Sequence, residues 1–284
     1  MSTAPVSAPG LVRSAGKAIP APASILDLTN PPAYLRGALE AGHFELYCQP
    51  LKALKRPGEL SMAEIFVRMR EEENALLPPG DFIGVFESLG MVPELNGWAL
   101  RETIRQALER PAMSFALNIG RQSLHEARFL EFVVREIRSS GFAPERLVFE
   151  VSAADAGASL VAAQRFAEAL RRAGARLLIQ DFRCDPASLN LFRLLRASGV
   201  KLDGAVVRRL RYSAAARSVV EDALRALASA GAQTIAESVE DEETLALVRR
   251  LGVDYAQGFG IVVPAPLHRV LGSAQVDFER TQPS

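Results

Sequence analysis

The sequence predicts an α/β barrel. About eight short apolar runs read as strands, most are separated by helical patterns, and polar residues recur at the strand ends. Eight strands in a chain of 284 residues suit a closed barrel better than a doubly wound sheet. No Gly-rich phosphate turn follows the first strand, as a dinucleotide-binding sheet would need. Neither an internal repeat nor a second domain is visible in the pattern.

Residues 1–25 are rich in Ala, Pro, Ser and Gly and lack apolar periodicity. Such a segment cannot repay the entropy of ordering, so a disordered tail is expected there. The barrel domain is then expected over 26–272, with a C-terminal tail over 273–284. Asn30-Pro31-Pro32 opens a short helix that Gly42 ends.

From there the pattern alternates. Strands are expected at Phe44–Leu51 and Ala63–Met69, followed by helices at Gly80–Leu89 and Pro93–Glu109, the second carrying Trp98. Ser114–Ile119 reads as a strand and Leu124–Ser139 as a helix, with Phe129, Phe132, Val133 and Ile137 at helical spacing. Strand Arg146–Val151, helix Ala158–Ala173 and strand Ala175–Phe182 come next. Helix Ala187–Ala197, strand Val200–Leu202, helix Ser213–Ala230, strand Gln233–Ala236, helix Glu242–Leu251 and strand Tyr255–Val262 complete the series. The link Lys52–Met62 holds Pro57-Gly58 and no helical pattern. A parallel crossover needs a dozen residues or more, so the first strand is expected to run antiparallel to the second.

Composition excludes several functions. Lys and Arg number 33, Asp and Glu also 33, so nothing electrostatic favours nucleic acid or an anionic membrane. Cys48 and Cys184 form no CxxC and suggest no disulfide framework, which fits a reducing cytoplasm. No apolar run approaches the roughly 20 residues of a membrane helix, and no signal-peptide pattern opens the chain. A cytoplasmic protein is expected.

The polar residues on or just after the strands are Glu64, Asn118, Glu150, Asp181, Lys201, Glu237 and Gln257, most with apolar neighbours. Barrel enzymes build their sites at the C-terminal strand ends; Glu64, early in its strand, fits that rule least. One such residue alone is usually a satisfied loop residue, but seven at one mouth are harder to dismiss. Four carboxylates brought together repel unless cations or protons intervene. Oxygen donors with one amide and no Cys or His suit Mg²⁺ or Mn²⁺, and paired ions of that kind activate water for phosphoester cleavage. Lys201 would orient or deprotonate the water, or counter charge.

Several motifs stand in order along the chain: Tyr47-Cys48-Gln49-Pro50, Ala63-Glu64-Ile65-Phe66-Val67-Arg68, Leu117-Asn118-Ile119, Phe149-Glu150-Val151-Ser152-Ala153, Val200-Lys201-Leu202-Asp203, Ala236-Glu237-Ser238-Val239-Glu240 and Gln257-Gly258-Phe259. From Leu35 to Leu267 the chain resembles the EAL-domain family, the cyclic di-GMP phosphodiesterases, with Glu-Ile-Phe in place of Glu-Ala-Leu. The resemblance implies an EAL-type (β/α)₈ TIM-like barrel with two metals, whose ligands would be Glu64, Asn118, Glu150, Asp181 and Glu237. It makes Lys201 the catalytic lysine, with Glu237 beside it. It implies that Arg68 holds a ligand phosphate and that Gln49 lies near a guanine; Asp203 and Gln257 fall in matching motifs and join the expected ligand set. Phe66 would either stack on a guanine or fill core.

The resemblance fails in one corner. The family has two adjacent aspartates where Gln180-Asp181 stands, and a neutral amide is a weak ligand. The loop Arg183-Cys184-Asp185-Pro186 lacks the family's glycines, and Ala153 stands where the family has a loop-anchoring glutamate. The expectation is a degenerate member that binds cyclic di-GMP or a partner protein with weak or no hydrolysis. Mg²⁺ or Mn²⁺ is its cofactor if it keeps one. The competing expectations are an active phosphodiesterase giving linear pGpG, and a ligand-independent interaction module. The family also implies a homodimer through the loop after Asp181, which is altered here.

Overall fold

Eight main strands form one sheet, in a computed structural model that describes residues 21–55, 62–70, 76–108 and 113–272. The strands are β1 (Phe44–Pro50), β2 (Met62–Arg70), β3 (Ser114–Asn118), β4 (Leu147–Ser152), β5 (Arg176–Phe182), β6 (Gly199–Leu202), β7 (Gln233–Ala236) and β8 (Tyr255–Ala256). β1 and β2 are antiparallel over their common length, as the short link between them predicts. From β2 to β8 the neighbours are parallel and follow chain order. β8 then pairs antiparallel with Lys52–Ala53, the continuation of β1 just past Leu51. One chain segment thus joins both ends of the sheet and closes the barrel. The edge of β1 left over is covered by Ala265–Pro266, a short strand the sequence did not announce.

The helices α1 (Pro31–Glu40), α2 (Pro79–Ser88), α3 (Val92–Ala107), α4 (Ala127–Ser139), α5 (Leu160–Ala173), α6 (Pro186–Leu195), α7 (Ala214–Ser229), α8 (Glu242–Arg250) and α9 (Leu267–Gly272) pack outside. Their starts follow capping chemistry. Asn30, Asp185, Ser213 and Asp241 each accept a hydrogen bond from a backbone N–H three residues on. α5 ends where Gly174 turns left-handed at φ 84°. α4 buries Phe129, Val133 and Ile137, one stripe at four-residue spacing.

Three expected elements differ in detail. The helix expected over 124–139 is broken at Glu126, whose extended backbone separates Arg121–His125 from α4. The helix expected over 158–173 is preceded by a separate turn, Ala153–Ala158, with Ser159 between. The last strand stops at Ala256 instead of reaching Val262. Gly258 and Gly260 there run so close to the backbone of Val239 and Glu240 that a Cβ on either would lie 2.1–2.2 Å from a carbonyl atom, so the chain turns and packs against the preceding loop.

Of the segment expected as an N-terminal tail, Pro22–Ile25 forms a helical turn that buries Ile25 among Phe82, Val85 and Phe86. Residues 1–20, and the expected tail over 273–284, lie outside the described residues.

The barrel interior is a small dry layer of Leu51, Met62, Ala116, Val148, Leu178 and Ile235. Side chains two residues apart on a strand share a face. The next inward layer toward the mouth is therefore Gln49, Glu64, Asn118, Glu150, Gln180 and Glu237. β1 runs the other way, so its member lies two residues before Leu51. The apolar floor and the polar layer above it are one alternation read at successive positions.

Candidate ligand site at the barrel mouth

Lys201 is the centre of the polar layer. Its side chain is 4% exposed, and its Nζ lies 2.5 Å from Glu64 Oε2 and 3.2 Å from Glu150 Oε2. Glu64 also accepts from Gln257 Nε2 at 2.7 Å on that oxygen, and from Asn118 Nδ2 at 2.7 Å on the other. Gln257 Nε2 further reaches Gln49 Oε1 at 3.0 Å, while Gln49 Nε2 donates to the Val262 carbonyl at 2.7 Å. Five side chains, Gln49, Asn118, Glu150, Lys201 and Gln257, from β1, β3, β4, β6 and the turn after β8, are thereby tied directly or through one neighbour to the Glu64 carboxylate of β2. Glu64, the residue fitting the strand-end rule least, is the hub, because β2 starts early enough to bring its third residue level with the other strand ends.

Burial and charge shift these groups apart. Burial pushes the Glu64 carboxyl up, but Lys201 with the Asn118 and Gln257 donors outweighs it and holds the carboxyl below the usual range. Burial raises Glu150 to about 7; Lys201 offsets this only in part, and the charges of Glu64 and Glu237 add to it. Burial works against the Lys201 ammonium, yet Glu150 and Glu64 more than compensate and keep it protonated. Glu237, half-buried, is raised first by burial and then by Asp181 and Glu64; its Oε1 accepts from the Gly204 N–H at 2.9 Å.

Opposite Lys201 the sheet is irregular. Ile179 faces Val200 and Phe182 faces Leu202, so Gln180 and Asp181 together oppose the single residue Lys201. This is a β-bulge, which inserts a residue and re-aims side chains. Asp181 takes a left-handed φ of 56°, a conformation costly for a residue with a Cβ, and is exposed. Neither side chain of the pair makes a hydrogen bond among the described residues. Beyond them, Cys184 is buried at φ 62°, and Asp185 is spent as the cap of α6, accepting from Ser188 N at 2.7 Å. Ala153 begins the turn after β4 and packs on the main core.

The remaining expected residues lie on the rim. Asp203 caps the short helix Gly204–Arg209 through the Ala205 N–H at 2.7 Å and faces Arg183 at 3.5 Å. Arg68 and Phe66 follow Glu64 along the same face of β2, and Phe66 also lines a largely apolar cavity of about 380 Å³ with Phe82, Ile83 and Leu95 that reaches Glu64 and Asn118. The ring is half-buried there.

Asn96 of α3 is a support the sequence did not reveal. It donates to the Asn118 carbonyl at 3.1 Å and accepts from Ser123 Oγ at 2.7 Å. The only sequence signal was a polar residue beside the apolar stripe of an amphipathic helix.

Among the described residues no three His, Cys, Asp or Glu side chains are disposed to hold one metal ion. Both oxygens of Glu64 accept from protein donors, and Asp181 is exposed on the bulge, near enough to Glu237 to raise its carboxyl. As arranged, the layer sets one internal cation, Lys201, against the carboxylates of Glu64, Glu150 and Glu237. No described helix is long and apolar enough to cross a membrane.

Residues 33–264 match the EAL domain family. Cyclic di-GMP phosphodiesterase PdeF of Escherichia coli K12 is 30% identical over 237 residues, which is 82% of this chain and 31% of that protein. The PdeB phosphodiesterase of Shewanella oneidensis is 26% identical over 81% of this chain and 27% of its own length. The chain thus spans less than a third of the length of these curated relatives. The FimX EAL domain of Pseudomonas aeruginosa bound to c-di-GMP superposes with a TM-score of 0.76 at 24% identity, covering 82% of this chain and 95% of that one.

Proposed function

The chain belongs to the EAL-domain family, and from that premise we propose that it is a cyclic di-GMP receptor whose barrel mouth binds the dinucleotide with weak or no hydrolysis. The observation that carries this reading is the saturation of Glu64. Lys201, Gln257 and Asn118 take up both its oxygens, so an internal cation fills the electrostatic role at the hub of the mouth. The bulged pair Gln180-Asp181 stands apart from that block. Arg68 supplies a cation for a phosphodiester, and Phe66 with the cavity behind it an apolar face for a base, while the Gln49 and Gln257 amides are spent within the buried block.

Titration calorimetry with cyclic di-GMP, in EDTA and in Mn²⁺, combined with chromatography of the same samples, tests the proposal. Binding in EDTA with no linear pGpG formed in Mn²⁺ is the expected result. Absence of binding at saturating ligand would overturn it and leave an interaction module.

A second reading, Mg²⁺- or Mn²⁺-dependent hydrolysis to pGpG, is favoured by one observation. Glu150 Oε1 is buried with no donor, and one lysine serves three carboxylates, Glu64, Glu150 and Glu237. Such a site invites a further cation. Turnover in Mn²⁺ with binding lost in EDTA would select it.

A further inference from the structure

Arg68 is held by rings and not by a carboxylate among the described residues. Tyr47 and Phe66 are directly opposed residues of β1 and β2, and Arg68 follows two residues along β2 on the same face. Its Cζ lies 5.3 Å from the Tyr47 ring centroid and 5.6 Å from that of Phe66. Both distances fall within the roughly 6 Å at which a ring face attracts a guanidinium. Among the described residues Arg68 has no acidic partner, because Glu45, opposite it, is turned to Arg70 at 3.4 Å. Its one hydrogen bond goes from Nη1 to the adjacent Val67 carbonyl at 3.0 Å. A carboxylate would fix an arginine by cancelling its charge. Two ring faces fix it and leave the remaining N–H groups for an anion from outside.

We propose that Tyr47 is a positioning residue. Its ring face orients the Arg68 guanidinium, so that the anionic phosphodiester meets a pre-aligned cation. Tyr47 is suited to this because its strand is paired on both edges, with β2 on one side and Ala265–Pro266 on the other, Tyr47 itself facing Pro266. The ring therefore cannot drift with a loose backbone. The sequence places Tyr47 in a motif without giving its ring a task; the cross-strand register supplies one. This rests on the receptor reading of the mouth.

The experiment combines ligand affinity with a ligand-free signal. Tyr47→Phe keeps the ring face and should bind cyclic di-GMP within about twofold of the parent, whereas Tyr47→Leu should bind about five- to tenfold more weakly. In an Arg68→Ala background, Tyr47→Leu should cost nothing further, because the residue it positions is gone. In the ligand-free protein, the Arg68 side-chain NMR resonances should carry ring-current shifts that survive Tyr47→Phe and change in Tyr47→Leu. Equal losses for the Phe and Leu variants, or additive losses with Arg68→Ala, would overturn the proposal. If the parent binds no cyclic di-GMP, the receptor reading fails. The NMR comparison still decides the clamp on its own: unchanged Arg68 resonances in Tyr47→Leu reject it.

Discussion

Two sides of the same barrel mouth are built in opposite ways. On one side Glu64, Asn118, Gln257, Gln49 and Lys201 form a closed block, with Glu64 and Lys201 almost without solvent exposure and every bond between 2.5 and 3.0 Å. On the other, Gln180 and Asp181 sit on a bulge, make no side-chain hydrogen bond among the described residues, and lead into a loop with two non-glycine residues at positive φ, Asp181 and Cys184. The contrast teaches that the conserved-looking half of the motif set is a structural unit in its own right. Lys201 is held by carboxylates from two strands, whereas no described residue hydrogen-bonds to the side chains of the bulged pair. The site is half scaffold and half opening.

The comparison breaks most severely at Lys201. Lys201→Met leaves Glu64 and Glu150 buried without their cation, and removing one partner of a buried pair costs about 3–5 kcal/mol. Urea unfolding at pH 8 should show that loss. Gln180→Leu on the open side should change stability by well under half as much.

Glu150 sharpens the contrast through pH. Its carboxyl is raised from 4.5 to about 7 in the folded protein, so the folded state holds that proton more tightly than the unfolded chain does. Stability should then be greater at the acid end and fall as pH rises from about 4.5 to about 7, by up to about 3 kcal/mol. Glu64, with a lowered value, loses its contribution only as pH falls below the ordinary carboxylate range, outside most of that window. Denaturation curves of the parent and Glu150→Gln between pH 5 and 7.5 check this: the parent should slope downward and the variant should be flatter.

The open side is probed by restoring what it lacks. Gln180→Asp combined with Ala153→Glu should raise Mn²⁺-dependent formation of pGpG about tenfold or more, equivalent to about 1.4 kcal/mol of barrier. If the double variant stays at the parent level, the limiting defect lies elsewhere in the mouth. The smallest effect is expected at Asp185, whose carboxylate only caps α6. Asp185→Ala should cost about 1 kcal/mol in thermal or urea unfolding and leave the affinity for cyclic di-GMP unchanged.

Much of this could be read in advance. Period-2 alternation put Glu64 above Met62, Asn118 above Ala116 and Glu150 above Val148, so strand positions and the polar layer followed from residue types alone. The short link after β1 set its antiparallel direction. Polar and charged residues in apolar strands carry their own signal, since few such residues are tolerated there without a partner or a task.

Other features depend on contacts that sequence order does not encode. The bulge at Gln180-Asp181 arises from how β5 and β6 pair, and an extra residue in one strand leaves no trace in local pattern. The turn after Ala256 is set by the close approach of Gly258 and Gly260 to Val239 and Glu240, in the loop before α8. The clamp of Tyr47 and Phe66 on Arg68 exists only because antiparallel register places residues 47 and 66 opposite each other. The sequence by itself determined the barrel, its polar layer and its family, because local alternation and motif order are properties of the chain. The tertiary structure alone decided that Glu64 is the saturated hub, that Asp181 sits exposed on a bulge and that Arg68 meets two rings and no carboxylate among the described residues. Pairing register and burial, which bring distant residues within hydrogen-bonding distance, are properties of the folded sheet.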